Sequence, residues 1–257
     1  MSLVDYNVKN RIAYITLNKP EKRNALNAEM VAVLKEAFSN AENDDGAKVI
    51  VLKAAGDVFC AGADLAGLQQ LQQNTYEENL EDSNHLKSLF YQIYNHPKMV
   101  IAMVQGHAIA GGCGLATVCD FSFAAKGAKF GYTEVRIGFV PAIVSLFLLR
   151  KIGEGKTKEL LLSGELVAAE KAVELGLINQ SVEPEVLEVT VDSFAKMLVE
   201  KNSAESMAIT KLMIAEIQNM DLDNGLNYAS EMNAKARTSE DCQKGIAAFL
   251  NKEKLSW

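Results

Sequence analysis

Two loops of small residues and one downstream glutamate are the parts of this chain that could do chemistry together. Residues 59–65 form the first loop and Gly111 centres the second, and each follows an apolar run typical of a buried strand. Glycine lets a ligand approach the main chain, and the start of a helix presents unpaired N–H groups to negative charge. Such turns bind anions or form an oxyanion hole. Glu134 follows as a candidate general acid or base.

Each loop also has a simpler interpretation, because glycine permits close packing of a helix against a strand. For one isolated glycine turn, packing alone is favoured, whereas two such loops followed by Glu134 favour a site. A nucleotide phosphate loop is not indicated, since no Lys-Ser or Lys-Thr pair follows the glycines around Gly111. The G-x-G-x-x-G spacing of dinucleotide-binding turns does not fit either.

Composition and charge limit the classes of partner. Hydrophobic residues make up 49% of the 257 residues and charged residues 23%, the balance of a soluble globular protein. The formal net charge of −7 argues against nucleic-acid or membrane partners, which need a basic field. Lys19, Lys22 and Arg23 form a local basic cluster that could bind a small anion. A solvated basic turn is the simpler interpretation of this cluster.

The cysteines and histidines favour a reducing compartment without a metal site. Four cysteines lie at positions 60, 113, 119 and 242, and no two of them form a C-x-x-C pair. Three histidines lie at no ligand spacing for zinc. We therefore expect reduced thiols, a cytoplasmic location and no signal peptide. The apolar residues 99–119 contain four glycines, Gln105 and His107, which favours buried elements over a membrane span.

Strand patterns occupy the first two thirds of the chain, and helical patterns alone occupy the last quarter. Strands are predicted at residues 11–17, 48–53, 100–104 and 120–124. Helices are predicted at residues 27–42 and 76–95, after Gly111, and at 186–200, 206–219, 222–236 and 240–252. This asymmetry predicts an α/β core over residues 1–195 and a helical region over residues 196–257.

Four segments together resemble the enoyl-CoA hydratase/isomerase, or crotonase, superfamily, and the resemblance extends over essentially the whole chain. Residues 17–26, which read LNKPEKRNAL, resemble its amino-terminal signature. Residues 59–65 (FCAGADL) resemble its first oxyanion loop, and residues 104–120 resemble the second. Residues 133–141 (TEVRIGFVP) resemble its catalytic segment. One segment alone would be a weak signal, whereas the four in this order are specific.

The resemblance implies a fold, a substrate and an assembly. The implied fold is an α/β spiral of strand–strand–helix (ββα) units with a C-terminal helical trimerisation region. The implied substrate is an acyl-CoA thioester, so that coenzyme A belongs to the substrate and no cofactor is needed. The implied assembly is a homotrimer or a dimer of trimers, with neither nucleic acid nor membrane as partner.

The resemblance also implies the site. The N–H groups of Ala63 and Gly111 would form the oxyanion hole for the thioester carbonyl, and Glu134 would move protons at the acyl carbons. The residues implied in binding the substrate or its coenzyme A are Lys22, Arg23, Ala25, Ala61, Asp64, Phe249 and Lys252. The last two often contact coenzyme A from a neighbouring subunit in this family. For Asp64 a simpler role is to fix its loop by hydrogen bonding.

Gly114 departs from the best-known hydratases of the family, which carry a second glutamate at the matching position. One interpretation is a 3-enoyl to 2-enoyl isomerase, which needs a single base. The other, which we favour, is a hydratase resembling those that act on methylglutaconyl-CoA in bacterial leucine breakdown. Those enzymes share the runs Gly-Gly-x-Gly-Leu and Glu-Val-Lys/Arg-x-Gly-x-x-Pro-Ala, found here at residues 111–115 and 134–142.

Further alternatives stay open at the level of sequence. Arg136 could meet a distal carboxylate of the acyl group, although a structural ion pair is the simpler interpretation. Glu78 or Glu81 could replace the missing carboxylate, although both are typical of a solvated helix face. His107 is interpreted as structural. A coenzyme A binder without catalysis is also conceivable, but the retention of Glu134 beside both loops argues against it.

Overall fold

The fold alternates strands and helices through its first two thirds and ends in helices alone. A computed structural model describes residues 2–257, with the main chain only at positions 65 and 66. The strands are β1 (Val4–Lys9), β2 (Ile12–Leu17), β3 (Val49–Ala54), β4 (Val58–Cys60), β5 (Met99–Val104), β6 (His107–Ile109), β7 (Phe121–Ala125), β8 (Lys129–Gly131), β9 (Val167–Ala168) and β10 (Gln180–Val182). The helices are α1 (Ala28–Asn43), α2 (Leu65–Leu71), α3 (Tyr76–Tyr94), α4 (Gly111–Val118), α5 (Ala142–Ser163), α6 (Ala169–Leu175), α7 (Leu187–Lys201), α8 (Ala204–Ile217), α9 (Leu222–Ala236) and α10 (Glu240–Leu250).

The strands form two sheets, and successive strands of the chain often belong to different sheets. The larger sheet has the order β1-β2-β3-β5-β7-β10, and the smaller has the order β4-β6-β8-β9. Each of the pairs β3–β4, β5–β6 and β7–β8 therefore contributes one strand to each sheet before the chain continues into helix. All neighbours are parallel except β1–β2 and β8–β9. The predicted α/β fold of ββα units followed by C-terminal helices is confirmed.

The central strands β3 and β5 are buried on both faces. Alternate residues of a strand point to opposite faces, so the two strands contribute to two separate cores. Ile50, Leu52 and Val100 pack with α1, α3 and α4 on one face. Val51 and Ile101 pack with α7 on the other. This double burial explains the unbroken apolar runs that predicted both strands from sequence.

Some elements differ from the sequence prediction. β1, at the edge of the larger sheet, was not predicted, because three of its six residues (Asp5, Asn7 and Lys9) are of types depleted in strands. It joins β2 through Asn10 and Arg11, whose φ angles of 54° and 63° suit a tight hairpin turn. α2 lies between the predicted loop at residues 59–65 and the predicted helix at residues 76–95, in a segment for which no element was predicted. The predicted boundary between residues 195 and 196 lies inside α7, and the division into two regions stays a prediction.

The C-terminal helices are tied to the core by a buried ion pair. On α8, Lys211 places its Nζ 2.8 Å from Asp120 Oδ2 and 3.2 Å from the Ile93 carbonyl oxygen. The same Asp120 oxygen accepts a bond of 2.7 Å from the Val100 amide at β5. The side chains of Lys211 and Asp120 are only 8% and 18% exposed. Among the helices of residues 2–257, none combines the length and the apolar character that crossing a membrane requires.

Lys211→Met should lower the free energy of unfolding by about 3–5 kcal/mol, because it leaves the buried Asp120 carboxylate without its counter-charge. The double variant Lys211→Met/Asp120→Asn should lose less, because no unpaired charge remains. Urea denaturation measures both. Lys171→Met is the matched control, because its pair with Glu174 is exposed and should change stability little. A loss for Lys211→Met as small as the control's would contradict a structural role for the buried pair.

Candidate active site

The first loop runs beside the segment that precedes α1. The Leu26 amide donates to the Gly62 carbonyl at 2.7 Å, and the Asp64 amide donates to the Leu26 carbonyl at 3.1 Å. Leu26 and Ala63 thus form a parallel bridge in which Leu26 bonds to both neighbours of Ala63. The peptide N–H of Ala63 consequently faces away from Leu26. Ala63 itself is exposed.

The second loop ends where α4 begins. Gly111 is the first residue of this helix, so its N–H has no acceptor within the helix. Ala110, the residue before it, has φ 51° and ψ −123°, a conformation that an L side chain rarely adopts. Its own N–H donates to the Gly131 carbonyl at 2.8 Å. A strained residue therefore orients the amide of Gly111 at the helix start.

The two loops pack main chain against main chain. A Cβ on Gly62 would lie 2.9 Å from both the Ile109 oxygen and the Ala110 Cβ, and 3.5 Å from the Gly111 nitrogen. A Cβ on Gly112 would lie 2.2 Å from the Cys60 oxygen. Only glycine permits this approach, which brings the peptide of Ala63 close to that of Gly111. Within the described chain, neither of these two amides donates to a main-chain carbonyl.

Glu134 opens a single 3₁₀ turn, Glu134–Ile137, which only Tyr132 and Thr133 separate from β8. Because Ala110 bonds to the last residue of β8, this turn is held close to the start of α4. Burial raises the pKa of the Glu134 carboxyl above its ordinary value, and a hydrogen bond from its own main chain opposes this in part. Its Oε2 is buried and has no hydrogen-bond partner among the described residues. Such an oxygen is free to bind a proton, a water molecule or a substrate.

The space beside Gly114 is filled by apolar side chains. A Cβ at this position would lie 2.5 Å from Val144 Cγ1 and 2.7 Å from Phe90 Cε1. Residue 114 lies one turn beyond Gly111, and helical side chains lean toward the helix N-terminus. Phe90 and Val144 therefore occupy the volume that a second carboxylate would need. The sequence shows that the second glutamate is missing, but it carries no signal for the side chains that fill the space.

The basic turn before α1 is joined to the first loop. Lys22 and Arg23 are exposed, Ala25 is buried, and the Ala61 amide donates to the Arg23 carbonyl at 3.1 Å. Asn24 holds this turn from within, because its buried side chain donates to the Ala55 and Val58 carbonyls at 2.8 and 2.9 Å. The structure thus brings four of the predicted coenzyme A residues to one place: Lys22, Arg23, Ala25 and Ala61. Sequence reasoning assigned no structural role to Asn24.

Other predicted residues of the site lie in different settings. Asp64 is the N-cap of α2, but its side chain makes no capping hydrogen bond, so loop fixing by that bond is not observed. Phe249 is 82% exposed at the end of α10, and Lys252 is exposed on the turn that follows. Within a single chain, neither Phe249 nor Lys252 is enclosed with the two loops. Their predicted role in binding coenzyme A therefore depends on a neighbouring subunit.

The alternative candidates have local partners. Arg136 pairs with Glu165 at 2.6 Å, as the simpler interpretation expected. Glu78 caps α3, because its Oε2 accepts from the Thr75 amide at 2.7 Å, and Glu81 is exposed on the same helix. His107 is also exposed, and its Nδ1 accepts a bond from the Lys129 amide at 3.2 Å.

Comparison with known proteins decides the family. The model of the enoyl-CoA hydratase/isomerase family matches residues 7–257. The chain belongs to this family. It is 42% identical over 248 residues to a Thermus thermophilus protein that bears an enoyl-CoA hydratase name, and this match covers 95% of the chain and 96% of that protein. It is 32% identical to the crotonyl-CoA hydratase of Syntrophomonas wolfei, over 96% of the chain and 94% of that protein.

Solved structures agree with the family membership. The crystal structure of an enoyl-CoA hydratase from Shewanella pealeana matches with a TM-score of 0.94 at 29% identity, covering 100% of this chain and 96% of that one. A Legionella pneumophila structure described as enoyl-CoA hydratase/isomerase (crotonase) matches with a TM-score of 0.90 at 37% identity, covering 98% of each chain. The expectation of an enzyme of this family is therefore confirmed.

Ala110→Gly should raise the free energy of unfolding by about 1 kcal/mol. Removal of the Cβ relieves a backbone strain of about 1–3 kcal/mol, while the freer unfolded chain offsets about 0.5–1 kcal/mol of this gain. Urea denaturation measures the change. Ala116→Gly, within the regular turns of α4, is the matched control and should lower stability by about 1 kcal/mol or more. If both variants lost stability, residue 110 would not carry the proposed strain.

Proposed function

We propose that the protein hydrates a 2-enoyl-CoA thioester, with Glu134 as its single proton carrier. The observation that carries the proposal is the buried Oε2 of Glu134, which has no partner among the described residues, together with the Ala63 and Gly111 amides, neither of which donates to a main-chain carbonyl there. The names of the relatives support hydration. Besides the crotonyl-CoA hydratase, they include the 2,3-dehydroadipyl-CoA hydratase of Escherichia coli at 30% identity.

The proposed role of the two loops is electrostatic. The N–H groups of Ala63 and Gly111 would donate to the thioester carbonyl oxygen, which gains negative charge as the enolate forms. Preorganised donors at such an oxygen stabilise the transition state by roughly 3–4 kcal/mol each. The N-terminal dipole of α4 favours the same charge. The exposed side chains of Lys22 and Arg23 would bind the phosphates of coenzyme A. Their local positive charge attracts an anion even though the net charge of the protein is negative.

The proposed role of Glu134 is proton transfer. Its ionised carboxylate would accept a proton from water as the water oxygen bonds to C3 of the enoyl group and the electron pair of the C2–C3 double bond moves toward the thioester. The same carboxyl would then return the proton to C2, which restores the carbonyl. One molecule of water is added and no net electrons are exchanged, so we propose that the reaction uses no cofactor.

An isomerase is the second candidate. The observation in its favour is the filled space at Gly114, because migration of a double bond needs one base and no activated water. Glu134 would take a proton from C2 of a 3-enoyl-CoA and return it to C4. The hydratase stays preferred because the named relatives are hydratases.

For the acyl group we propose a 3-methylglutaconyl-like chain, on the basis of residues 111–115 and 134–142. Its distal carboxylate needs a cation, and Arg136 lies two residues beyond Glu134. Arg136 now pairs with Glu165, with the two side chains 47% and 73% exposed. An exposed pair of this kind contributes only about 0–1 kcal/mol, so a substrate carboxylate could replace Glu165 at little cost.

Glu134→Gln should lower kcat by about 10²-fold or more, because general acid–base catalysis typically contributes that much. The assay follows crotonyl-, 3-methylglutaconyl- and 3-hexenoyl-CoA spectroscopically. Since burial raises the pKa of Glu134, the carboxylate ionises only above this raised value. The kcat/KM of the intact enzyme should therefore rise with pH through that pKa, and the rise should vanish in the variant. Glu183→Gln, in an exposed pair with Lys126, is the matched control.

The three substrates distinguish the candidates. Hydration of the first two supports the proposal, and preference for the second supports the finer assignment. Migration of the double bond in 3-hexenoyl-CoA without hydration would instead identify an isomerase. Coenzyme A binding without turnover of any of the three would identify a binder. Full activity of Glu134→Gln would remove Glu134 from the mechanism.

We also propose that the chain forms a homotrimer, or a dimer of trimers, through its C-terminal helices. Large apolar side chains on α8–α10 are exposed: Ile214, Leu222, Leu226, Ile246, Phe249 and Leu250. A stretch of surface this apolar is typical of an interface. A neighbouring chain would also bring Phe249 and Lys252 to the coenzyme A groove.

Light scattering of the intact protein in solution should therefore give three or six times the mass of one chain, which is 28.0 kDa. The variant Leu222→Glu/Leu226→Glu should shift this mass toward that of one chain, because charge at an apolar interface opposes association. An intact protein that has the mass of one chain at all concentrations would contradict the proposed assembly.

A further inference from the structure

The carboxylate of Glu134 has little to fix its position. Its Oε2 has no hydrogen-bond partner among the described residues, and Glu134 lies on a 3₁₀ turn of only four residues. The residues that follow, 136–140, are all exposed. At its C-terminal end the 3₁₀ turn is closed by the Phe139 amide, which donates to the Glu134 carbonyl at 3.0 Å. The position of the carboxylate must therefore be set mainly by the main chain that precedes it.

Tyr132 anchors that preceding main chain. Its ring is fully buried, and its hydroxyl lies 2.7 Å from Thr117 Oγ1 on α4. Tyr132 thus reaches from the end of β8 into the helix that begins with Gly111. Only Thr133 separates this anchor from Glu134.

The hydrogen bonds of this network have a defined direction. Thr117 Oγ1 lies 2.8 Å from the Cys113 carbonyl oxygen, which can only accept. The single hydroxyl proton of Thr117 is therefore donated to that carbonyl. The Tyr132 hydroxyl must then donate to Thr117 Oγ1. Tyr132 is thus joined through the Thr117 hydroxyl to the main chain of Cys113, in the first turn of α4.

We propose that Tyr132 is a positioning residue, which holds Glu134 at a fixed distance from the start of α4. This inference rests on the proposed function, since it concerns the alignment of the proton carrier with the Gly111 amide. Two hydrogen bonds link the segment that carries Glu134 to α4. One is the main-chain bond from Ala110 to Gly131, and the other is made by the Tyr132 hydroxyl. Catalytic groups lose much of their effect when they are misplaced by about 1 Å, so the second link matters for rate.

The experiment compares Tyr132→Phe with Tyr14→Phe. Tyr14 is the matched control, because its hydroxyl also makes one hydrogen bond of 2.9 Å, to Asp192 on α7 and outside the candidate site. Tyr132→Phe should lower kcat for crotonyl-CoA by about tenfold or more, with KM changed by less than about threefold. Tyr14→Phe should leave both constants unchanged.

The pH profile gives a second readout. In Tyr132→Phe the released turn lets water reach Glu134. Because burial is what raises the pKa of Glu134, access of water should lower this pKa. The acid limb of kcat/KM should therefore move to lower pH in the variant. Among the described residues, the titratable groups on which the Glu134 charge acts are Cys113 and Tyr132. Burial raises the pKa of Cys113 to about 12 and that of Tyr132 well above its ordinary value, so both stay neutral and the limb reports Glu134.

A second pair of variants covers the case in which Tyr132→Phe does not fold. Thr117→Val removes the acceptor of the tyrosine proton, and Thr117→Ser retains it. We expect Thr117→Val to reproduce the loss of kcat and Thr117→Ser to restore most of it. Equal activity of all three variants and the intact enzyme, with no shift of the acid limb, would overturn the proposal.

Hydrogen exchange measured by mass spectrometry separates this inference from the proposed reaction. Amides of residues 133–139 should exchange faster in Tyr132→Phe than in the intact protein, while those of α7 should not. This result does not depend on which acyl-CoA is turned over. Unchanged exchange in this segment would refute the anchor even if the enzyme is a hydratase. Absence of hydration by the intact protein, with faster exchange in the variant, would instead refute the reaction.

Discussion

The arrangement of the site depends on one contact, in which the backbones of the two loops touch without side chains between them. Gly62 lies against Ile109 and Ala110, and Gly112 lies against Cys60. These contacts follow from the topology, because β4 and β6 are parallel neighbours in the smaller sheet and each continues into one of the loops. The direction of both free amides is therefore set by the sheet and by glycine, and side-chain packing has little influence on it.

Several features near this contact reduce stability. Ala110 adopts a conformation that disfavours its Cβ, and an unpaired buried oxygen such as Glu134 Oε2 typically costs about 1–3 kcal/mol. The surrounding structure compensates with two deep cores and with buried polar anchors such as Asn24 and the pair of Lys211 with Asp120. Strain and unpaired groups are concentrated where a ligand would bind, which is the usual relation between stability and function.

Sequence was sufficient for the family, for four of the strands and for most helices, because those signals were local. The runs at residues 48–53 and 100–104 predicted buried strands, and the glycines around Gly111 predicted a turn into a helix. β1 and the short strands of the smaller sheet were missed, because β1 is half made of residues depleted in strands and β4, β6, β8 and β9 have only two or three residues each. The partners of Tyr132 and Arg136 escaped for a different reason. They lie 15 and 29 residues away in sequence, and such contacts appear only once the fold is known.

The packing at Gly114 also restricts how this chain could have diverged from relatives with two glutamates. Phe90 lies on α3 and Val144 on α5, so three separate segments of the gene specify one small volume. A change from Gly114 to glutamate would place its Cβ 2.5 Å from Val144 Cγ1 and 2.7 Å from Phe90 Cε1, so these side chains would have to shift. A smaller residue at 90 or 144 would make room for the carboxylate. The gain of a second glutamate is therefore coupled to the side chains at these two positions.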